Sequence, residues 1–194
     1  MERILEAAER VLTEKEYSAA TLAEIASRAG YTVGAIYARF SDKAALLKTL
    51  EERIYRTVDA VLDARTASLT TGQESPGEFL RAAVEDTVTV YRRHRGTLRA
   101  LAVQAREDDD LRERMRRVNA TTIERFTQAL RSQPGLIAHP HPEVAMEFAL
   151  VLIGSTLRQT VVFSDTWAVP SVVDDATLIR ELSRSVIAYL GLPQ

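Results

Sequence analysis

The feature that most constrains this chain is a pair of helix starts set close together, with a glycine between them. Thr21-Leu22-Ala23-Glu24 has the spacing of a capping box, in which the Thr21 hydroxyl accepts from the amide three residues on while Glu24 reaches back. Gly30 can take the left-handed conformation that closes a helix at no Cβ cost, and Thr32 is a second N-cap residue. The pattern predicts a short helix from about Thr21 to Ala29 and another of about two turns from Thr32 to Phe40. Leu22, Ile25 and Ala26 on the first, with Ile36 and Phe40 on the second, give both an inward apolar face. Thr32, Val33, Ala35, Tyr37 and Arg39 are left pointing outward. Two short helices joined by a tight glycine turn make a helix-turn-helix, whose second helix lies in the DNA major groove. Its outward side chains are small or hydroxyl-bearing apart from one cation, so the helix is slim enough to enter the groove. Gly34 costs about 1 kcal/mol relative to Ala inside a helix, which suggests close approach to a neighbouring helix or to DNA.

The rest of the chain also reads as helix. Ile4, Leu5, Ala8, Val11 and Leu12 form one stripe on a first helix. Ser41 and Asp42 offer caps for a long helix whose stripe runs from Leu46 through Leu50, Ile54 and Val58 to Leu62, a length that suits a connector. Thr70 to Gly77 is a break, followed by expected helices at Pro76–Arg93 and Thr97–Ala105, with His94-Arg95-Gly96 between them. Acids at 108–110 suit the start of the next helix, through Leu111, Phe126 and Leu130. Glu143 to Phe163 is the most hydrophobic helix, and the last helix buries Leu178, Leu182, Val186 and Tyr189. Ser132 to Pro140 and Ser164 to Asp174 are expected as loops. The expectation is an all-α chain: a three-helix DNA-binding domain over residues 1–48, joined by a long helix to a helical ligand-sensing and dimerisation domain over 49–194.

Composition narrows the function. A length of 194 residues lets folding bury roughly 70% of the surface of the unfolded chain. With 46% hydrophobic and 27% charged residues, eight Gly and six Pro, a loop-rich β fold is disfavoured. There is no Cys, which removes disulfides, thiol nucleophiles and Cys-based zinc sites and fits a reducing cytoplasm. Met1 to Leu12 alternates charged and apolar residues rather than following a secretory design. The longest apolar run, Phe148 to Gly154, is far short of the roughly 20 residues a membrane span needs and reads as a buried helix segment. His139 and His141 are too few to hold a metal, and no phosphate loop, nucleophile elbow or di-iron pattern is present, so neither cofactor nor catalysis is expected. The net charge of -2 hides a local excess from Ile25 to Lys48, where Arg28, Arg39, Lys43 and Lys48 face Asp42 alone. A basic patch on an acidic body is the electrostatic layout of a small DNA-reading head.

From Thr21 to Leu46 the residues resemble the DNA-binding signature of the tetracycline-repressor (TetR) family almost position for position. The resemblance implies that Thr21, Thr32, Tyr37 and Lys43 hold phosphates and that Thr32, Val33 and Ala35 approach base edges. It also implies a homodimer whose two most C-terminal long helices pack against their copies, with Gly154 and Ser155 allowing close approach. Two recognition helices about 35 Å apart would then read a pseudo-palindromic operator on double-stranded DNA. Glu16 stands before Tyr17 where the family commonly has Gly, which leaves the form of that turn open. Many relatives carry Lys or Arg where Val33 stands; a Val points to a thymine methyl instead of guanine.

Tyr91, Asn119, Thr122, Phe126 and Arg158 are aromatic or polar residues on otherwise apolar stripes, and as a set they are candidates for a small-molecule pocket between bundle helices. Two rival readings stay open here: a helix-turn-helix protein that senses nothing, and an enzyme built on a helical bundle.

Overall fold

A computed structural model describes residues 1–71, 73–131, 137–166 and 174–193. In them the chain forms nine α-helices: α1 Glu2–Glu14, α2 Leu22–Ala29, α3 Val33–Tyr37, α4 Lys43–Thr70, α5 Pro76–Arg93, α6 Arg95–Gln104, α7 Asp109–Arg131, α8 Pro142–Leu157 and α9 Asp175–Leu190. A 3₁₀ turn at Tyr17–Ala19 precedes α2, and a π-helical segment at Arg158–Val162 continues α8. No strand occurs among the described residues. Of the two expected loops, 132–136 and 167–173 lie outside the described residues.

The chain divides into two compact units, Met1–Arg56 with Arg93–Glu113, and Thr57–Arg92 with Arg114–Gln194. The first unit therefore takes in α6 as well as the N-terminal helices. Ile4, Leu5, Ala8, Val11 and Leu12 are buried, as the stripe requires. The reason α6 belongs here is Gly96, which sequence alone suggested as a helix breaker. It lies inside α6, and a Cβ at this position would collide with the backbone of Leu12 and Thr13 on α1. Beside it His94 is 2% exposed, and its Nδ1 lies 2.7 Å from Glu9 Oε1.

In the second unit one apolar cluster joins Leu69 of α4, Phe79, Leu80, Val84 and Val88 of α5, Phe126 and Leu130 of α7, Met146 and Ile153 of α8, and Leu182 and Val186 of α9. Arg65 pairs with both Asp86 and Glu74, at 2.6 and 3.0 Å. Tyr189 is only half-buried, and Leu190 takes the interior place expected for it.

Helix starts follow the capping rules. Ser75 and Glu78 make the reciprocal box, amide to carboxylate at 2.8 Å and amide to hydroxyl at 3.3 Å. Asp42 accepts from the Ala45 amide at 2.7 Å, and Asp174 from that of Thr177 at 2.8 Å. These amide hydrogen bonds hold both carboxyls below the ordinary aspartate value.

Two outcomes are expected. Gly96→Ala should destabilise the protein by about 1–3 kcal/mol, because a backbone neighbour cannot yield as a flexible side chain can; urea unfolding measures it. A carboxylate whose folded pKa is depressed contributes stability above about pH 4 that is lost as the pH falls through its lower folded value. The double substitution Asp42→Asn, Asp174→Asn keeps both caps, so its stability should fall less steeply on acidification than that of the parent, in melts taken from neutral pH downward.

Candidate nucleic-acid interface

The site is built around α3, whose interior side is a single residue deep. Ile36 is fully buried and Phe40 is 4% exposed, which anchors a helix only five residues long. It ends at Tyr37, short of the expected Phe40, because Ala38 and Arg39 turn into the cap of α4. Thr32 caps it, its hydroxyl accepting from the Ala35 amide at 3.2 Å. Gly30, at φ +74°, closes α2 in the left-handed region, as sequence suggested. Thr21 caps α2 through the Glu24 amide at 3.2 Å. The expected reciprocal half of that box is absent. Glu24 turns instead to Lys15 at 2.9 Å and Arg28 at 3.0 Å, since two cations outbid one amide for its carboxylate.

With α2 and α3 held by these caps and by their inner faces, Val33 and Tyr37 are not needed to hold the helix. Val33 and Tyr37 are 42% and 57% exposed, and Thr21, Thr32 and Gly34 are exposed too. Ala35 is half-buried. A Cβ at Gly34 would meet nothing within 4 Å, so no neighbouring helix explains that glycine and it keeps an open surface. Arg39 is exposed and donates to the Ala35 carbonyl at 2.8 Å, which lays its guanidinium along α3.

Lys43 sits differently. Its ammonium donates to the carbonyls of Tyr17 at 2.6 Å, Ala20 at 2.9 Å and Ser18 at 3.4 Å, and lies 4.3 Å from the Tyr17 ring centroid. Burial holds its pKa below the ordinary lysine value and, with Asp42, raises that of the Tyr17 phenol. Lys43 thus ties the start of α4 to the 3₁₀ turn. Glu16 before that turn has φ −62°, so nothing in its backbone calls for the glycine common in the resembling family.

The basic patch is also composed differently from the sequence window. Arg28 is paired with Glu14 at 2.5 Å and Glu24 at 3.0 Å, and contributes little field. Arg39 and Lys48 remain exposed. A cation outside the window joins them: the Arg3 guanidinium of α1 lies 5.7 Å from the Tyr31 ring centroid, and that of Arg39 lies 5.9 Å from the same ring. Neither Arg3 nor Tyr31 carries a sequence signal, because their meeting depends on how α1 packs.

The five pocket candidates separate. Phe126 stacks on Phe79 at 5.4 Å within the core, while Asn119 and Arg158 are exposed and Thr122 is half-buried. Only Tyr91 and Arg158 are brought into electrostatic range. Burial raises the Tyr91 phenol and the Arg158 charge opposes that rise. Gly154 faces the same phenol, a Cβ there lying 3.9 Å from Tyr91 Oη. It therefore points into its own unit, whereas Ser155 is exposed. Among the described residues no group of three or more His, Asp or Glu side chains is placed to hold a metal ion.

A family model described as bacterial regulatory proteins, tetR family, matches residues 4–50. The HTH-type transcriptional regulator TtgR of Pseudomonas putida is 44% identical over 57 residues, which is 29% of this chain and 27% of that protein. The chain thus matches about a quarter of the length of that curated relative. The fold is similar to a transcriptional regulator of Aquifex aeolicus VF5, with TM-score 0.73 and 20% identity over 96% of this chain and 97% of that one. It is also similar to SmeT, the repressor of the Stenotrophomonas maltophilia multidrug efflux pump SmeDEF, with TM-score 0.62 and 23% identity over 97% and 85%.

Lys43→Met keeps the aliphatic stem and removes all three donors. It should lower stability by about 1.5–3 kcal/mol, as loss of hydrogen bonds from a charged group does, measured by thermal melting without DNA. A residue that only met phosphates would leave that midpoint unmoved.

Proposed function

We propose that the chain is a member of the tetR family of bacterial regulatory proteins and a DNA-binding transcriptional regulator, a repressor released from a palindromic operator by a small molecule; the match of residues 4–50 to that family's model supports this reading. The observation that carries this reading is the face of α3. Val33 and Tyr37 are exposed on a helix whose opposite side is fully buried and whose N-terminus is capped from within, so the outward residues are presented to a partner. Thr32, Val33 and Ala35 approach base edges, Val33 against a thymine methyl, and Thr21, Tyr37 and Arg39 take phosphates. Lys43 adds charge while holding the turn that carries Thr21. A regulator of this kind works at the chromosome, in the cytoplasm, and catalyses nothing.

The operator is read by a homodimer joined through α8. Val144, Phe148 and Val151 are 64%, 53% and 51% exposed at i, i+4 and i+7, one stripe on a helix whose other face, Ala145, Met146, Ala149 and Ile153, is core. The run read from sequence as a buried segment is therefore buried on one side only. Pro142–Val162 is long and apolar enough to cross a membrane by length and composition. A second copy of the chain is favoured over a bilayer because one face of α8, through Ala145, Met146, Ala149, Ile153 and Leu157, is packed in the interior of its own unit and only the opposite stripe is left to be covered.

The effector, a mainly apolar molecule, is proposed to bind in the second unit with Tyr91 and Arg158 as polar anchors. A tenfold loss of operator affinity needs only about 1.4 kcal/mol of differential binding. SmeT, named for repression of an efflux pump, is a precedent for a repressor on this fold.

Duplexes recovered from a random pool by the purified protein should contain a two-fold repeat and bind less tightly as salt rises. Tyr37→Ala should weaken all sequences alike, while Val33→Ala should relax the preference at one base pair per half-site; equal loss from both would refute the roles. Val151→Glu should yield monomers in sedimentation. A dimer that survives it would place the interface elsewhere.

A further inference from the structure

We propose that Arg3, at the start of α1, is a contact to the DNA backbone, and that Arg3 and Arg39 together hold one operator phosphate beside Tyr31. The inference rests on the DNA-binding reading above. Arg3 lies in the first turn of α1, which is held in place by its neighbours Ile4 and Leu5, 0% and 4% exposed. Its Nη2 is 2.9 Å from where a Cβ would sit on Gly30, so the residue that ends α2 also makes room for the guanidinium. Arg3 and Arg39 lie 5.7 and 5.9 Å from the centroid of the same Tyr31 ring, which immediately precedes the cap of the recognition helix.

Two cations within about 6 Å of one ring centroid concentrate positive charge there, and four acids of α1 and α2 are engaged elsewhere. Glu2, adjacent in sequence to Arg3, is engaged by Arg53 at 2.6 Å. Glu9 lies against His94 at 2.7 Å, Glu14 against Arg28 at 2.5 Å, and Glu24 serves Lys15 and Arg28. Among the described residues neither Arg3 nor Arg39 has a carboxylate within ion-pairing distance. Both side chains are exposed, and both lie at Tyr31, the residue before the Thr32 cap. A planar fork of donors suits a phosphate, and Tyr31 restricts the two forks before DNA arrives. An anion within reach of both would neutralise that concentrated charge, which is the physical reason to expect one. The backbone of the bound duplex supplies it.

The test is the salt dependence of binding to the duplex recovered by the selection above. Removing one phosphate contact per subunit should reduce the slope of log affinity against log salt by about 1.8 per dimer, since each contact contributes about 0.9. Arg3→Gln is expected to show that loss on specific and scrambled duplexes alike, with an unchanged melting midpoint, and Arg3→Lys is expected to restore most of the slope. Arg3→Gln together with Arg39→Gln should lose no more slope than the phosphate they share allows, less than the sum of the two single losses. An unchanged slope in Arg3→Gln overturns the proposal, including the case in which affinity drops through a merely structural effect. If the parent protein itself bound DNA indifferently to salt, the DNA-binding reading would fail first, and this inference with it.

Discussion

A helix of five residues cannot sustain itself in water, where isolated helices shorter than about 12–15 residues are marginal. Everything about the N-terminal unit follows from having to present such a helix rigidly. Its first turn is closed by the Thr32 hydroxyl, its approach angle is set by the left-handed Gly30, and its only grip on the interior is Ile36, extended by Phe40. On either side stand longer helices with caps of their own, and Lys43 fastens the second of them to the 3₁₀ turn through three carbonyls. Because the order of α3 comes from its ends and its inner face, Val33 and Tyr37 on its outer face carry little share of the fold. That separation lets one scaffold present Val33 where another chain presents a cation.

What could be read from sequence was local. Thr21, Gly30 and Thr32 act over three or four residues, so their meaning is complete within the segment, and the stripes of α1 and α2 need only the helical period. What could not be read depends on which helix lies opposite. Gly96 looked like punctuation, yet its role is set by the backbone of Leu12, distant along the chain. Arg28 counted toward a basic patch until Glu14 and Glu24 were seen to neutralise it, while Arg3 lay outside any window that would have counted it. Charge summed along a sequence measures field only where pairing is known.

The C-terminal helices illustrate the same limit for polar residues. An aromatic or polar side chain on an apolar stripe can fill a core, line a cavity or sit at a rim, and period alone does not distinguish these. Phe126 filled the core against Phe79, Asn119 went to the surface, and Tyr91 was drawn inward toward Gly154 within range of Arg158. The apolar run of α8 was likewise ambiguous, since a helix apolar all round can be wholly interior or shared between an interior and a second surface. Exposure of Phe148 and Val151 beside buried Ala149 and Ile153 shows that it is interior on one face and uncovered on the other.

The π-helical segment at Arg158–Val162 matters for that sharing. A π turn accommodates one residue more than the α turn it replaces, so it shifts the angular phase of everything after it. Val161 and Val162 are both buried where Val151 faced outward, and the Phe163 amide reaches the Arg158 carbonyl at 3.0 Å across the widened turn. One continuous rod is thereby split into two registers. The outward stripe and the inward end are thereby set separately, so a substitution at Val151 can alter the exposed surface of α8 without disturbing the packing of Val161 and Val162 at its far end.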